Sequence, residues 1–310
     1  MCLLGIHKLK KCKKCAEMGL KYMKYLFRSM LFVPAYNEKF LDKAAGSEAD
    51  AIIFDLEDAV PPAKRKTARD ILRKYLANGI FEGRQLFVRI NELGSDDLTE
   101  DLDLIDGNRI LGVVPPKIKD VSEIQEISRL LKKCEERDGL KEGTLKLLPM
   151  IETAGAVANV LSIARSSERL IALLFGGEDY LDSIWGTHEY SAKVFEMPRA
   201  MIVMAARMNG LLPIDTPYLD LKNEAGFMAE ERMAYSMGFA GALVVNPIQI
   251  PWANRCFQPS EEETMHAKAV LETAKKAKEE GRSVATLEGK VVGPPMLKRA
   301  NKVMEFMAED

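Results

Sequence analysis

Eight short apolar runs punctuate this chain: Met30–Val33, Ala51–Phe54, Leu86–Ile90, Leu111–Val114, Leu145–Ile151, Leu170–Phe175, Leu212–Ile214 and Ala242–Val245. Each is followed at once by charged or turn-forming residues, such as Asp55-Leu56-Glu57-Asp58, Glu152-Thr153, Gly176-Gly177-Glu178-Asp179 and Asn246-Pro247. Uninterrupted apolar runs of this length are how parallel strands covered on both faces read. Segments of helical spacing separate them; after the fourth run, Val121, Ile124, Ile127, Leu130 and Leu131 mark one helix face. Eight strands alternating with helices predict an α/β fold, a (β/α)8 TIM barrel, which gathers its chemistry at the strand C-termini.

Composition narrows the partners. A formal net charge of −2 gives no general attraction to nucleic acid or to anionic lipid. No apolar run approaches the roughly 20 residues that span a bilayer, so a soluble protein that engages no membrane is expected. Five scattered cysteines (Cys2, Cys12, Cys15, Cys134 and Cys256) do not form a disulfide framework and suit a reducing cytoplasm.

Residues 1–26 are set apart by seven lysines between Lys8 and Lys24, around Cys12-x-x-Cys15. That pair could be a redox couple or half a zinc site, for which only Cys2 and His7 are near. The simpler expectation is a basic extension outside the fold, with Met18 and Met23 as alternative starts of translation. Residues 27–256 are expected to form the barrel, and residues 257–310 a C-terminal helical extension packing on it or on a neighbouring subunit. Ser260 followed by Glu261, Glu262 and Glu263 opens that extension as a capped helix.

The rim carries the candidate chemistry. Glu152 and Asp179 end the fifth and sixth runs, on strands about 5 Å apart. Two carboxylates there suit a hard divalent cation that keeps water and substrate oxygens, Mg2+ above all. Zinc is disfavoured, because His7, His188 and His266 fall outside the strand ends. The alternative for Glu152-Thr153 is a helix cap. Arg89 ends the third run, and its planar fork suits a carboxylate; a structural ion pair with Asp55 or Glu57 is the alternative. Asp55, Glu57 and Asp58 cannot all face one atom, so one should meet the arginine or metal-bound water and another cap the loop. Lys117 could neutralise an enolate or phosphate, or form a Schiff base if its pKa were lowered. A cation plus an arginine would polarise a 2-oxo or 2-hydroxy acid for carbon–carbon chemistry beside a carbonyl.

These motifs, together with Arg28-Ser29-Met30-Leu31-Phe32-Val33-Pro34, Asp215-Thr216-Pro217-Tyr218, Asn223-Glu224-Ala225-Gly226-Phe227 and Asn246-Pro247-Ile248-Gln249-Ile250, make residues 28 to about 305 resemble the citrate lyase beta-subunit family. That family, in the HpcH/HpaI aldolase superfamily, includes malyl-CoA and citramalyl-CoA lyases. The resemblance implies a barrel enzyme, often a homotrimer, that uses Mg2+ to split a hydroxyacyl thioester of CoA or an acyl-carrier protein, alone or within a lyase complex. It implies Glu152 and Asp179 as metal ligands, and Arg89 on the carboxylate of the oxo acid. From the residues themselves, Arg89, Glu57 and Asp58 are the candidate catalytic groups, and Asp55, Glu152 and Lys117 join Arg89 along the substrate. Arg28 and the Lys66–Arg69 segment would touch the thioester carrier.

One position departs. Where the family reads Gly-Lys-Met-hydrophobic-Asp-x-Pro, with a catalytic aspartate, this chain has Gly289-Lys290-Val291-Val292-Gly293-Pro294-Pro295. The proton must come from elsewhere, Glu288 or a rim acid, or the reaction differs. Besides the thioester lyase, two readings stay open: an aldolase of free oxo acids, and a non-catalytic or complex-dependent subunit that binds Mg2+ and oxo acid.

Overall fold

The computed structural model describes residues 25–281 and 284–309. The cysteine pair at 12 and 15, with Cys2, His7, Met18 and Met23, lies outside the described residues. The contacts divide the chain into two units after Phe257.

The first unit is built on a curled parallel sheet. Its strands are β1 (Ser29–Pro34), β2 (Ala51–Asp55), β3 (Gln85–Arg89), β4 (Gly112–Val114), β5 (Lys146–Leu147), β6 (Met150–Ile151), β7 (Ala172–Phe175), β8 (Leu212–Asp215) and β9 (Gly241–Val244). They are ordered β5-β4-β3-β2-β1-β9-β8-β7-β6. The outermost members, β5 and β6, are two parts of the single apolar run 145–151, parted at Leu148-Pro149. Leu148 donates its N–H to Val113 on one side, while Leu174 donates to the Pro149 carbonyl on the other. The arrangement is TIM-barrel-like.

Alternate strand residues face two apolar layers. Met30, Ile53, Phe87, Val114, Leu148, Leu174, Ile214 and Leu243 pack inside the curl. Leu31, Ile52, Val88, Val113, Leu173 and Val244 face the helices. The described chain starts two residues before the barrel boundary read from the sequence, with Tyr25 stacked on the buried ring of Phe27. Chain entry is tight there: a Cβ at Gly241 would lie 1.7 Å from the Phe27 carbonyl oxygen.

The helices of this unit are α1 (Glu38–Ala45), α2 (Arg65–Ala77), α3 (Leu98–Leu104), α4 (Val121–Arg137), α5 (Ala154–Ile163), α6 (Gly177–Ser183), α7 (Ser191–Val194), α8 (Glu196–Met208), α9 (Glu224–Met237) and α10 (Ile250–Cys256). Asp120, Thr153 and Asn223 cap α4, α5 and α9 by accepting backbone N–H groups. The connection after β7 holds three separate α-helices, and the first, Gly177–Ser183, starts on the glycines that the sequence marks as turn-forming. Among the described residues no helix is long and apolar enough to cross a membrane.

The second unit has its own small core, with Ala267, Val270, Ala277, Ala285, Val292 and Ala300 buried. Helix α11 (Glu261–Glu279) begins at a reciprocal Ser260/Glu263 capping box. A hairpin of β10 (Thr286–Leu287) and β11 (Lys290–Val291) turns at Glu288-Gly289, both with positive φ. Helix α12 (Pro294–Glu309) follows, and the Gly293 carbonyl accepts the N–H groups of Met296 and Leu297.

Candidate active site

Strand register assembles the first half of the rim. Asp55 and Arg89 are direct partners across β2 and β3. Arg89 Nε donates to Asp55 Oδ1 at 2.8 Å, and Nη2 to Oδ2 at 2.5 Å. The same Asp55 oxygens accept the N–H groups of Glu57 and Ala59. Asp55 therefore spends its acceptors on the arginine and its own loop, the structural ion pair that the sequence offered as the alternative for Arg89. The Arg89 fork is likewise occupied on its Nε–Nη2 edge; Nη1 remains, 3.2 Å from Glu57 Oε2 and 3.8 Å from Asp58 Oδ2. The guanidinium lies 4.9 Å from the centroid of the Phe32 ring. Its acid neighbours raise its pKa despite burial.

Lys117 joins this cluster. Its Nζ is 2.9 Å from Glu57 Oε1, 3.0 Å from Glu92 Oε1 and 3.5 Å from Asp58 Oδ1. These acids raise the ammonium's pKa well above its usual value although burial opposes them. A Schiff-base lysine needs the opposite shift, so that reading is set aside. Lys117 adopts φ 50°, in the left-handed region that a side chain rarely enters. That turn aims its backbone N–H at Glu152 Oε1, 2.6 Å away.

Glu152 and Asp179 form the second half. Ile151 and Phe175 are register partners, so Glu152 lies beside Gly176. A Cβ at Gly176 would stand 2.3 Å from Glu152 Oε2 and 2.6 Å from its Cβ, so only glycine leaves the carboxylate its space. Glu152 is 1% exposed, and its Oε2 is buried with no hydrogen-bond partner. Burial, reinforced by the charge of Asp179, pushes its carboxyl up to about 8, against the pull of the Lys117 N–H. Asp179 sits in the first turn of α6; burial and then Asp58 raise its pKa.

An orphaned, deeply buried carboxylate oxygen beside a second carboxylate is short of positive charge. An oxygen-only pair fits a hard cation such as Mg2+. Among the described residues no group of three or more His, Cys, Asp or Glu side chains is arranged to hold a metal. The protein's share of such a site would then be these two side chains, leaving room for water and substrate oxygens. His188 instead pairs with Glu178 at 3.1 Å on the surface.

A cavity of about 390 Å3 adjoins the cluster, lined by Glu57, Asp58, Arg65, Asn91, Ser95 and Lys117 among others. Arg65 and Ser95 are residues the sequence reading did not single out; Arg65 Nε and Ser95 Oγ are buried without partners there. Lys66 is exposed on α2 and is not part of the cavity wall. Arg28 precedes β1 and pairs with Asp50, Nε–Oδ2 2.9 Å, at the opposite end of a six-residue strand from the rim. That strand spans about 20 Å, so Arg28 braces the bottom of the sheet.

Residues 28–247 match the family model described as HpcH/HpaI aldolase/citrate lyase. The chain belongs to that family. It is 33% identical over 277 residues to the citrate lyase subunit beta of Escherichia coli (strain K12), covering 89% of this chain and 92% of that one. It is 31% identical over 298 residues to the L-malyl-CoA/beta-methylmalyl-CoA lyase of Cereibacter sphaeroides (strain ATCC 17029 / ATH 2.4.9), covering 89% and 93%. Among solved structures, protein CitE from Mycobacterium tuberculosis in complex with magnesium, acetoacetate and coenzyme A superposes with a TM-score of 0.74 at 27% identity. That match covers 90% of this chain and 97% of the other. In this member of the HpcH/HpaI aldolase/citrate lyase family, the rim acids, the arginine and the lysine thus meet on a fold shared with a magnesium-bound relative.

Proposed function

We propose that this chain is an Mg2+-dependent carbon–carbon lyase that splits a citryl-, malyl- or citramalyl-type thioester into an oxo acid and an acyl thioester. One observation carries the reading: the unpartnered buried oxygen of Glu152, on a carboxyl that feels the charges of both Asp179 and Arg89. The relatives named for citrate and malyl-CoA cleavage, and the magnesium, acetoacetate and coenzyme A of the solved relative, support it.

Glu152 and Asp179 would hold the cation, which when bound supplies Lewis-acid polarisation of an oxygen beside the breaking bond. Arg89 Nη1, held by the Asp55 pair behind it, presents a fixed positive charge to the carboxylate of the hydroxy acid. Glu57, between Arg89 and Lys117, is the group we assign to the proton; burial raises its pKa against the pull of both cations. It takes the hydroxyl proton. The oxygen's electron pair then becomes the new carbonyl of the oxo acid. The pair of the broken C–C bond moves onto the carbon beside the thioester carbonyl, and that enolate is protonated to the acyl thioester. Lys117 and Asp58 flank the path. Gly293 supplies no carboxylate, so Glu57 takes that part.

The same reading takes the curled sheet as a complete (β/α)8 barrel whose fifth strand is β5 and β6 together. It takes residues 257–310 as a C-terminal helical extension. It places a homotrimer in the cytoplasm, where the buried free thiols of Cys134 and Cys256 stay reduced, acting on CoA or acyl-carrier thioesters, alone or within a lyase complex.

The test is oxo-acid release from citryl-, malyl- and citramalyl-CoA by the purified chain, with Mg2+ and with EDTA. Magnesium-dependent release of oxaloacetate, glyoxylate or pyruvate is expected. Turnover of the free acids instead would favour an aldolase without a thioester. No turnover by a folded, metal-binding chain would favour the binding subunit, to which the glycine at 293 already points.

A further inference from the structure

Asp179 rests on residues outside the carboxylate pair. Helix α6 begins at Gly177, two positions before Asp179, and the Gly177 N–H donates to Thr216 Oγ1 at 2.8 Å. Thr216 follows the last residue of β8, the strand beside β7. A Cβ at Gly177 would lie 2.7 Å from that hydroxyl oxygen and 2.9 Å from the Phe195 ring, so the peptide is pressed against both.

Behind them stands one guanidinium. Arg199, on α8 and fully buried, donates through Nε to Asp215 Oδ1 at 3.0 Å, and its Nη2 is 2.9 Å from Oδ2. The same Nη2 reaches Glu230 at 2.5 Å. The backbone N–H of Thr216 lies close enough to the Asp215 carboxylate to favour its charged form. The Arg199 guanidinium lies 5.4 Å from the centroid of the Phe195 ring. Arg199 therefore fixes both supports of the Gly177 peptide. A buried ion pair of this kind adds little net stability, because desolvation offsets the attraction; what it confers here is geometry.

We propose that Thr216, held by the Arg199–Asp215 pair, is a positioning residue that sets where Asp179 stands relative to Glu152, and thereby the affinity of the cation site. The inference rests on the reading of Glu152 and Asp179 as the cation's ligands. Ligand distances at a metal are tight to about 0.2 Å, and partners that orient ligands typically carry about 10–100-fold in metal affinity.

The experiment titrates the full-length chain with Mn2+, following the electron paramagnetic resonance signal of the free ion. Thr216→Val removes the acceptor at almost constant shape and should weaken binding about tenfold or more. Thr216→Ser restores the hydroxyl and should bind within about twofold of the parent. A purely structural threonine would lower the melting temperature in EDTA and leave Mn2+ affinity unchanged, which overturns the proposal. Should the valine variant not fold, Arg199→Lys decides; unchanged affinity there overturns it equally. Asp179→Asn separates the two levels. If it binds Mn2+ like the parent, the cation reading itself fails; if it alone loses binding, only the positioning role fails.

Discussion

Replacing Glu152 by glutamine should stabilise the metal-free barrel at pH 8 and leave it almost unchanged at pH 4.5. Glu152 is buried, one oxygen accepts the Lys117 N–H, and the other has no donor. Burial first, then Asp179, raises its carboxyl from an ordinary 4.5 to about 8. A group that holds its proton more tightly when folded contributes stability that is complete below the unfolded pKa. That contribution drains away as pH rises through the folded one. The window is therefore pH 4.5 to 8, and at about 1.4 kcal/mol per pKa unit the loss amounts to roughly 3–5 kcal/mol. Glutamine does not titrate, so it escapes that loss. Urea midpoints of both proteins in EDTA at half-unit pH steps give the difference directly. The gap should widen with pH, and added Mg2+ should close it by stabilising the parent alone. Parallel curves, within about 0.5 kcal/mol over the window, would refute the picture of an orphaned buried carboxylate waiting for a cation.

Other consequences can be checked by single substitutions. Gly176→Ala puts a methyl 2.3 Å from Glu152 Oε2; Mn2+ affinity should fall about 100-fold, with roughly 1–3 kcal/mol of destabilisation seen in urea. Arg89→Lys keeps the charge but cannot hold both Asp55 oxygens, so calorimetry should show oxo-acid affinity reduced about tenfold, near 1.4 kcal/mol. Unchanged affinity would leave Arg89 a purely structural partner of Asp55. Gly293→Asp meets nothing closer than Pro295 Cδ at 3.7 Å. It should add a few tenths of a kcal/mol through better capping of α12, and an unchanged urea midpoint would refute that.

The strands were legible because parallel strands buried on both faces are apolar without interruption, and their order followed from the alternation with helices. The places of Glu152 and Asp179, after two consecutive apolar runs, were legible for the same reason. What escaped depends on three-dimensional fit. The two glycines before Glu178 read as a loop, but they exist to clear Glu152 and to meet Thr216 and Phe195, and α6 starts there. The φ of Lys117 leaves no trace in composition. Arg199 on an amphipathic helix looks like a surface residue until Asp215 is placed beneath it. Helix phase turns Arg65, not Lys66, to the cavity, and Arg28 sits at the end of β1 away from the rim. Arg89 shows both limits. Its place at the rim was clear, whereas its bidentate hold on Asp55 follows from register, which no single strand encodes.

The most direct measurement is anomalous diffraction from crystals of the chain grown with Mn2+ and oxaloacetate. The expected result is one strong peak bonded to an oxygen each of Glu152 and Asp179, with the oxo acid chelating the same ion and its carboxylate against Arg89. A fully occupied ion elsewhere, or oxaloacetate bound away from Arg89 with Glu152 Oε2 still unpartnered, would contradict the proposed lyase site.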